Sequence, residues 1–153
     1  MIVSPNFKRW GRFIMPVRHE FIRDQSHALV HCSACLTAHD ISSDLRRFHA
    51  DPRYRPGMPE LASLAEVDEI DMDFRSILGV SARMQRLYAG LAPRTRLAIY
   101  APGDLAFGMA RMFQSAAALG AALEVGVFRE REDAQGWLFD RSVFRSGRRS
   151  CAT

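Results

Sequence analysis

The residues best suited to chemistry are Cys32 and Cys35, a Cys-x-x-Cys pair with His31 and His39 close by in the chain. Such thiolates can hold a soft metal or cycle a disulfide, and imidazoles can complete a ligand set. Redox pairs of this kind begin a helix, whose N-terminus lowers a thiol pKa. Here the pair ends a stretch, Ala28–Cys35, that reads as a strand. Residues three apart on a strand point to opposite faces, so the two sulfurs diverge. A zinc site also needs a second ligand pair, and none follows at the usual spacing. Ordinary buried or half-buried thiols are the expectation. A metal-binding or redox protein using Cys32 and Cys35 is the alternative.

Other constellations are weaker. Ala101-Pro102-Gly103-Asp104 joins a strand to a helix, where parallel sheets present ligand sites. Asp104 repels an anion there and is expected to cap the helix. Arg111 stands on the same, otherwise apolar helix, either as a snorkelling surface residue or paired with Asp71 or Asp73 at a shared helix-mouth site. The acidic run Glu66, Asp68, Glu69, Asp71 and Asp73 lacks calcium-loop spacing and reads as a solvated turn with a helix cap. All five histidines, at 19, 27, 31, 39 and 49, fall in the first third, with no nucleophile elbow or metalloprotease motif beside them. No Walker lysine or Gly-x-Gly-x-x-Gly is present. The residues assemble no active site, so the expectation is a protein that is not an enzyme and uses no cofactor.

The 153 residues fit one domain, and 48% apolar with 25% charged residues suffices for a buried core. The net charge of +4 is uneven. Lys8, Arg9 and Arg12 stand near the start and Arg141, Arg145, Arg148 and Arg149 near the end, with no acid among either group. Without these seven cations, 14 basic residues face 17 acidic ones, a net −3. The positive charge thus belongs to the ends, expected as an unstructured basic extension over 1–16 and a disordered basic tail over 141–153. A nucleic-acid reader carries its charge on a folded face, so nucleic acid is not the expected partner. Leu105–Phe128 is the longest apolar stretch, but Arg111, Gln114 and Glu124 interrupt it, which argues against a membrane span. No signal-peptide pattern stands at the start, and three cysteines make a poor disulfide scaffold. Cytoplasmic residence is expected. Met15 precedes the first regular segment and is an alternative start to Met1.

The elements that would position these residues begin at Val17. Val17–Arg23 and Ala28–Cys35 alternate as a β-hairpin around Asp24-Gln25-Ser26-His27. Thr37-Ala38-His39-Asp40 has capping-box form, with Ile41, Leu45 and Phe48 at helical spacing, and the helix should stop near Asp51-Pro52. Glu60–Val67 is short enough between breakers to be a strand. Asp71 or Asp73 caps a long helix whose apolar stripe is Phe74, Ile77, Leu78, Met84, Leu87, Tyr88 and Leu91, ended by Pro93. Arg94–Ala101 reads as a strand, Asp104–Leu119 as a helix closed by Gly120, Leu123–Phe128 as a strand and Glu130–Phe139 as a last helix. The order β-β-α-β-α-β-α-β-α calls for an α/β fold over 17–140, mainly parallel with one antiparallel hairpin.

Four stretches carry a family resemblance: Asp51–Met58 (DPRYRPGM), Val67–Phe74 (VDEIDMDF), Phe107–Phe113 (FGMARMF), and Val127-Phe128-Arg129-Glu130 followed by Ala134, Trp137 and Leu138. With the element order, the chain resembles the STAS fold of anti-sigma-factor antagonists and, more closely, the bacterial SpoIIAA-like (STAS/SEC14-type) proteins. The resemblance implies a mixed, mainly parallel sheet of four or five strands with an N-terminal β-hairpin, flanked by about four helices. It implies a non-enzymatic regulatory or binding module for a protein partner or a small apolar ligand. Apart from the resemblance, a short chain that leaves a sheet edge open makes a homodimer possible. The residues expected to bind a ligand or partner, around the helix mouths, are Asp71, Asp73, Asp104, Phe107, Gly108 and Arg111. Anti-sigma antagonists carry a phosphorylatable serine in Asp-Ser-Ser-Gly. The matching Asp71-Met72-Asp73-Phe74 has no hydroxyl, and Ser76 lies further along, so a phosphoserine switch is not expected.

Overall fold

The computed structural model describes residues 15–24, 26–90 and 94–140. Residues 1–14 and 141–153, which hold the two basic ends and Cys151, lie outside the described residues, as do Gln25, Leu91 and Pro93.

Strands β1 (Val17–Phe21) and β2 (Ala28–Thr37) form the expected antiparallel hairpin. Helix α1 (Ala38–Ala50) follows, then β3 (Glu60–Asp71), α2 (Phe74–Tyr88), β4 (Thr95–Tyr100), α3 (Asp104–Ala117), β5 (Leu123–Phe128) and α4 (Arg131–Phe139). The five strands lie in the order β1-β2-β3-β4-β5, and every pair after the first is parallel. Crossovers between parallel neighbours take one hand, so stepping across the sheet in chain order puts α1, α2 and α3 on one face. Alternate residues confirm the division. Ala62, Leu97 and Ile99 pack under those helices, whereas Leu61 and Ala98 pack with Ala134 and Leu138 of α4 on the other face.

Local chemistry sets the ends. Thr37 caps α1 by accepting from the Asp40 N–H at 3.1 Å, and the helix ends at Ala50, before Asp51-Pro52. Asp73, not Asp71, caps α2, accepting from the Ser76 N–H and hydroxyl, both at 2.8 Å. Gly90, at φ +74°, turns the chain after α2 before Pro93 is reached.

Several expectations need correction. The buried stripe of α2 is Ile77, Val80, Met84 and Tyr88 with Ser81, while Phe74 and Leu78 face outward, 57% and 36% exposed. The ridge at i, i+3, i+7 and i+11 beginning at Ile77 is the one aimed at the sheet, which leaves those two on its flank. Gly103, not Asp104, occupies the cap of α3, and no side chain caps it. Helix α3 ends at Ala117, with Ala118 in right-handed geometry rather than a left-handed Gly120. Gly120 instead makes room for Gln85, whose amide donates to the Ala117 carbonyl and accepts from the Ala122 N–H, both at 3.0 Å. A Cβ at 120 would collide with the Gln85 side-chain amide.

Strand β3 runs four residues past the expected Val67. Its register against β2 shifts twice, between His31 and Ser33 and between Ala34 and Cys35, each time with an extra β3 residue. These bulges break the two-residue alternation, which moves the inward positions from Ala62 and Leu64 to Val67, Ile70 and Met72. Ala34 takes a left-handed φ of 56° in the same region. Beyond Ser63, β3 is paired only with β2, so the two strands continue as a ribbon past the end of β4.

Candidate functional site

A cavity of about 120 Å³ lies between the sheet and α1, α2 and α3. Its floor is made by same-face residues of the strands: Val17, Val30, Cys32, Leu36, Glu60, Ala62, Leu64, Leu97 and Ile99. Its roof comes from Ile41, Asp44, Leu45 and Phe48 of α1, Ile77, Val80 and Met84 of α2, and Met109, Ala110 and Phe113 of α3. Each roof set keeps helical spacing, which is why one face of each of these three helices reaches the space. Ile41, Ile70, Met72, Met109 and Phe113 are half-buried and mark its solvent side, while Glu60, Phe48 and Leu97 are buried at the other end. The solvent side lies with the carboxyl ends of the parallel strands, where open α/β sheets receive ligands. An engineered apolar cavity of about 150 Å³ binds benzene, so a space of this size suits one small ring or a short chain.

Two carboxyl groups stand on these apolar walls. Asp44, 4% exposed, accepts from His19 Nδ1 at 3.0 Å and has Arg47 at 3.6 Å. Glu60, 2% exposed, accepts from the Tyr88 hydroxyl at 2.6 Å, and no cation lies within ion-pair distance of it among the described residues. Burial raises the Glu60 carboxyl to about 7; the Tyr88 hydrogen bond opposes the rise, and the charge of Asp44 adds to it. Burial also pushes Tyr88 well above the ordinary phenol value, with the Glu60 charge contributing. Tyr54 rises to about 12 for the same two reasons. Its hydroxyl and His49 Nε2 are buried atoms without a hydrogen-bond partner among the described residues. The His49 ring packs 4.4 Å from Tyr54 and 4.6 Å from Tyr88, and burial lowers its pKa.

The Cys-x-x-Cys pair does not converge on this site. Cys32 lines the cavity, and Cys35 does not. Burial, with the Asp44 charge, pushes the Cys32 thiol up to about 12, the reverse of a reactive thiol. Both thiols are free, and the described residues hold no group of three His, Cys, Asp or Glu side chains arranged for a metal ion.

The candidate binding residues read from the sequence occupy the rim and the outer surface. Asp71 and Asp73 are exposed at the end of β3 and the start of α2. Asp104 is exposed and accepts from Arg129 Nη1 at 2.7 Å; the same guanidinium lies 4.1 Å over the Phe107 ring. Gly108 is exposed, with nothing close to where a Cβ would stand. Arg111 is exposed and forms no ion pair with Asp71 or Asp73. The structure thus joins Asp104 and Phe107 through Arg129, and leaves the other four apart. Sequence reasoning missed Asp44, Glu60, Tyr88 and His19. A signal existed in Asp44, which falls on the helical stripe of Ile41, Leu45 and Phe48, and in Glu60, which shares a strand face with Ala62 and Leu64.

Among the described residues, no helix is long and apolar enough to cross a membrane. No family model and no curated protein matches the chain. A similar solved structure is an uncharacterized protein from the DUF3478 family with a SpoIIAA-like fold, from Shewanella loihica PV-4. The two align with 18% identity and a TM-score of 0.51, over 80% of this chain and 91% of that one. With five strands in sequential order, one antiparallel hairpin and four helices among the described residues, this chain has a SpoIIAA-like fold.

Proposed function

We propose that the chain is a non-enzymatic binding module that takes a small apolar ligand in the cavity between the sheet and α1–α3. One observation carries the reading. Among the described residues, the walls are aliphatic, methionine and phenylalanine side chains interrupted by only Cys32, Asp44 and Glu60. Apolar space with few polar groups is the usual form of a small-molecule site. Met72, Met84 and Met109 supply walls that can re-pack around different shapes. Binding is preferred to catalysis because Asp44 is tied to His19, Glu60 to Tyr88, and the Cys32 thiol is held neutral. Residence in the cytoplasm and self-association accompany the proposal without bearing on it.

Calorimetric titration with toluene tests it. The wild-type chain is expected to bind toluene, and Ala110→Phe, which fills the space from α3, is expected to abolish binding. No uptake by the wild type, or equal uptake by the filled variant, contradicts the reading.

A further inference from the structure

The cavity's charge is one-sided. Among the described residues, its lining holds two carboxyl groups and no lysine, arginine or histidine. Asp44 already has His19 and Arg47 beside it, but Glu60 has only a phenol donor. A buried carboxylate without a cation is costly, and the cost falls when a cation with hydrogen-bond donors arrives. An anionic head would meet the opposite situation, with two acids and nothing to neutralise it. Tyr88 from α2 fixes the Glu60 carboxyl; Tyr54, Asp44 of α1 with His19 of β1 behind it, and His49, packed on both tyrosines, are further titratable groups nearby.

We propose, building on the ligand-binding reading above, that the cavity selects a small apolar amine, its hydrocarbon part among Met84, Val80 and Leu97 and its ammonium donating to the Glu60 carboxylate. The other acid, Asp44, adds negative potential without itself needing a partner. The volume limits the hydrocarbon to about one ring or a short chain. The raised Glu60 pKa fits this arrangement, since an arriving cation favours the ionised form and returns the carboxyl toward its usual value.

Titration of the full chain at pH 7.5 with toluene, benzylamine, benzyl alcohol and benzoate tests the inference. The four probes share a ring and differ in the head group. Benzylamine is expected to bind at least tenfold more tightly than toluene, with benzoate weaker than toluene. Glu60→Gln is expected to remove the amine preference and leave toluene affinity within about twofold. Benzyl alcohol or benzoate binding as tightly as benzylamine overturns the amine assignment, and so does a preference that survives Glu60→Gln in a folded variant. If Glu60→Gln does not fold, the wild-type ranking decides alone. Failure of every probe, toluene included, instead overturns the cavity reading on which the inference rests.

Discussion

The Tyr88 hydroxyl donates to Glu60 Oε2 across 2.6 Å, joining the last residue of α2 to the first residue of β3 in full burial. The bond ties helix to sheet at the closed end of the cavity. It also opposes the burial that raises the Glu60 carboxyl to about 7.

That shift makes stability depend on pH. The unfolded carboxyl titrates near 4.5, while the folded one keeps its proton to about 7. The contribution is therefore whole below 4.5 and is lost as pH rises through about 7. The loss amounts to about 3–4 kcal/mol at about 1.4 kcal/mol per pH unit. His49, lowered by burial, acts in the opposite sense and loses stability as pH falls below its unfolded value. Glu60→Gln isolates the first effect. Denaturant unfolding from pH 5 to 8 should show the variant gaining on the wild type as pH rises, and a constant difference contradicts the assignment.

Helix α4 is held by Arg96, a buried cation whose guanidinium stacks 4.1 Å from the Trp137 ring and donates to the Leu138 and Asp140 carbonyls. Arg96→Ala is expected to cost about 2–3 kcal/mol. In a Trp10→Phe background, Trp137 emission should shift to the red as the helix loosens. An unshifted spectrum with unchanged stability counts against this clamp.

Gly126 of β5 lies where the rings of α4 and the sheet meet. A Cβ there would stand 2.7 Å from the Phe128 ring and 3.1 Å from Trp137. Gly126→Ala should destabilise the fold by about 1–3 kcal/mol in chemical unfolding, although alanine ordinarily favours a strand over glycine. A variant as stable as the wild type shows that Phe128 moves aside at no cost.

The cysteines should differ in reactivity. In native protein treated with iodoacetamide, peptide mass spectrometry is expected to find Cys35 modified well ahead of Cys32, whose thiol is buried and pushed to about 12. Rapid modification of Cys32 revives the redox alternative.

The architecture was legible where caps and breakers agree with patterning: Thr37 before α1, Asp51-Pro52 after it, Asp73 before α2. Alternation failed where geometry departs from a flat strand. The two bulges opposite β2 carried β3 beyond Val67, and Gly120 serves Gln85, a residue distant in sequence. The site was harder to read for a related reason. Glu60 and Tyr88 acquire their meaning only once packing removes water from both. The surface residues Asp71, Asp73, Gly108 and Arg111 stood out by motif, yet a motif does not say which face of the sheet encloses space.

Methionine-methyl NMR tests the central claim most directly, because three methionines line the cavity and others do not. On titration with toluene, the methyl resonances of Met72, Met84 and Met109 should shift together and saturate, while that of Met15, exposed and outside the lining, stays in place. Saturable shifts confined to residues outside the lining, or none at all, would contradict a ligand cavity between sheet and helices.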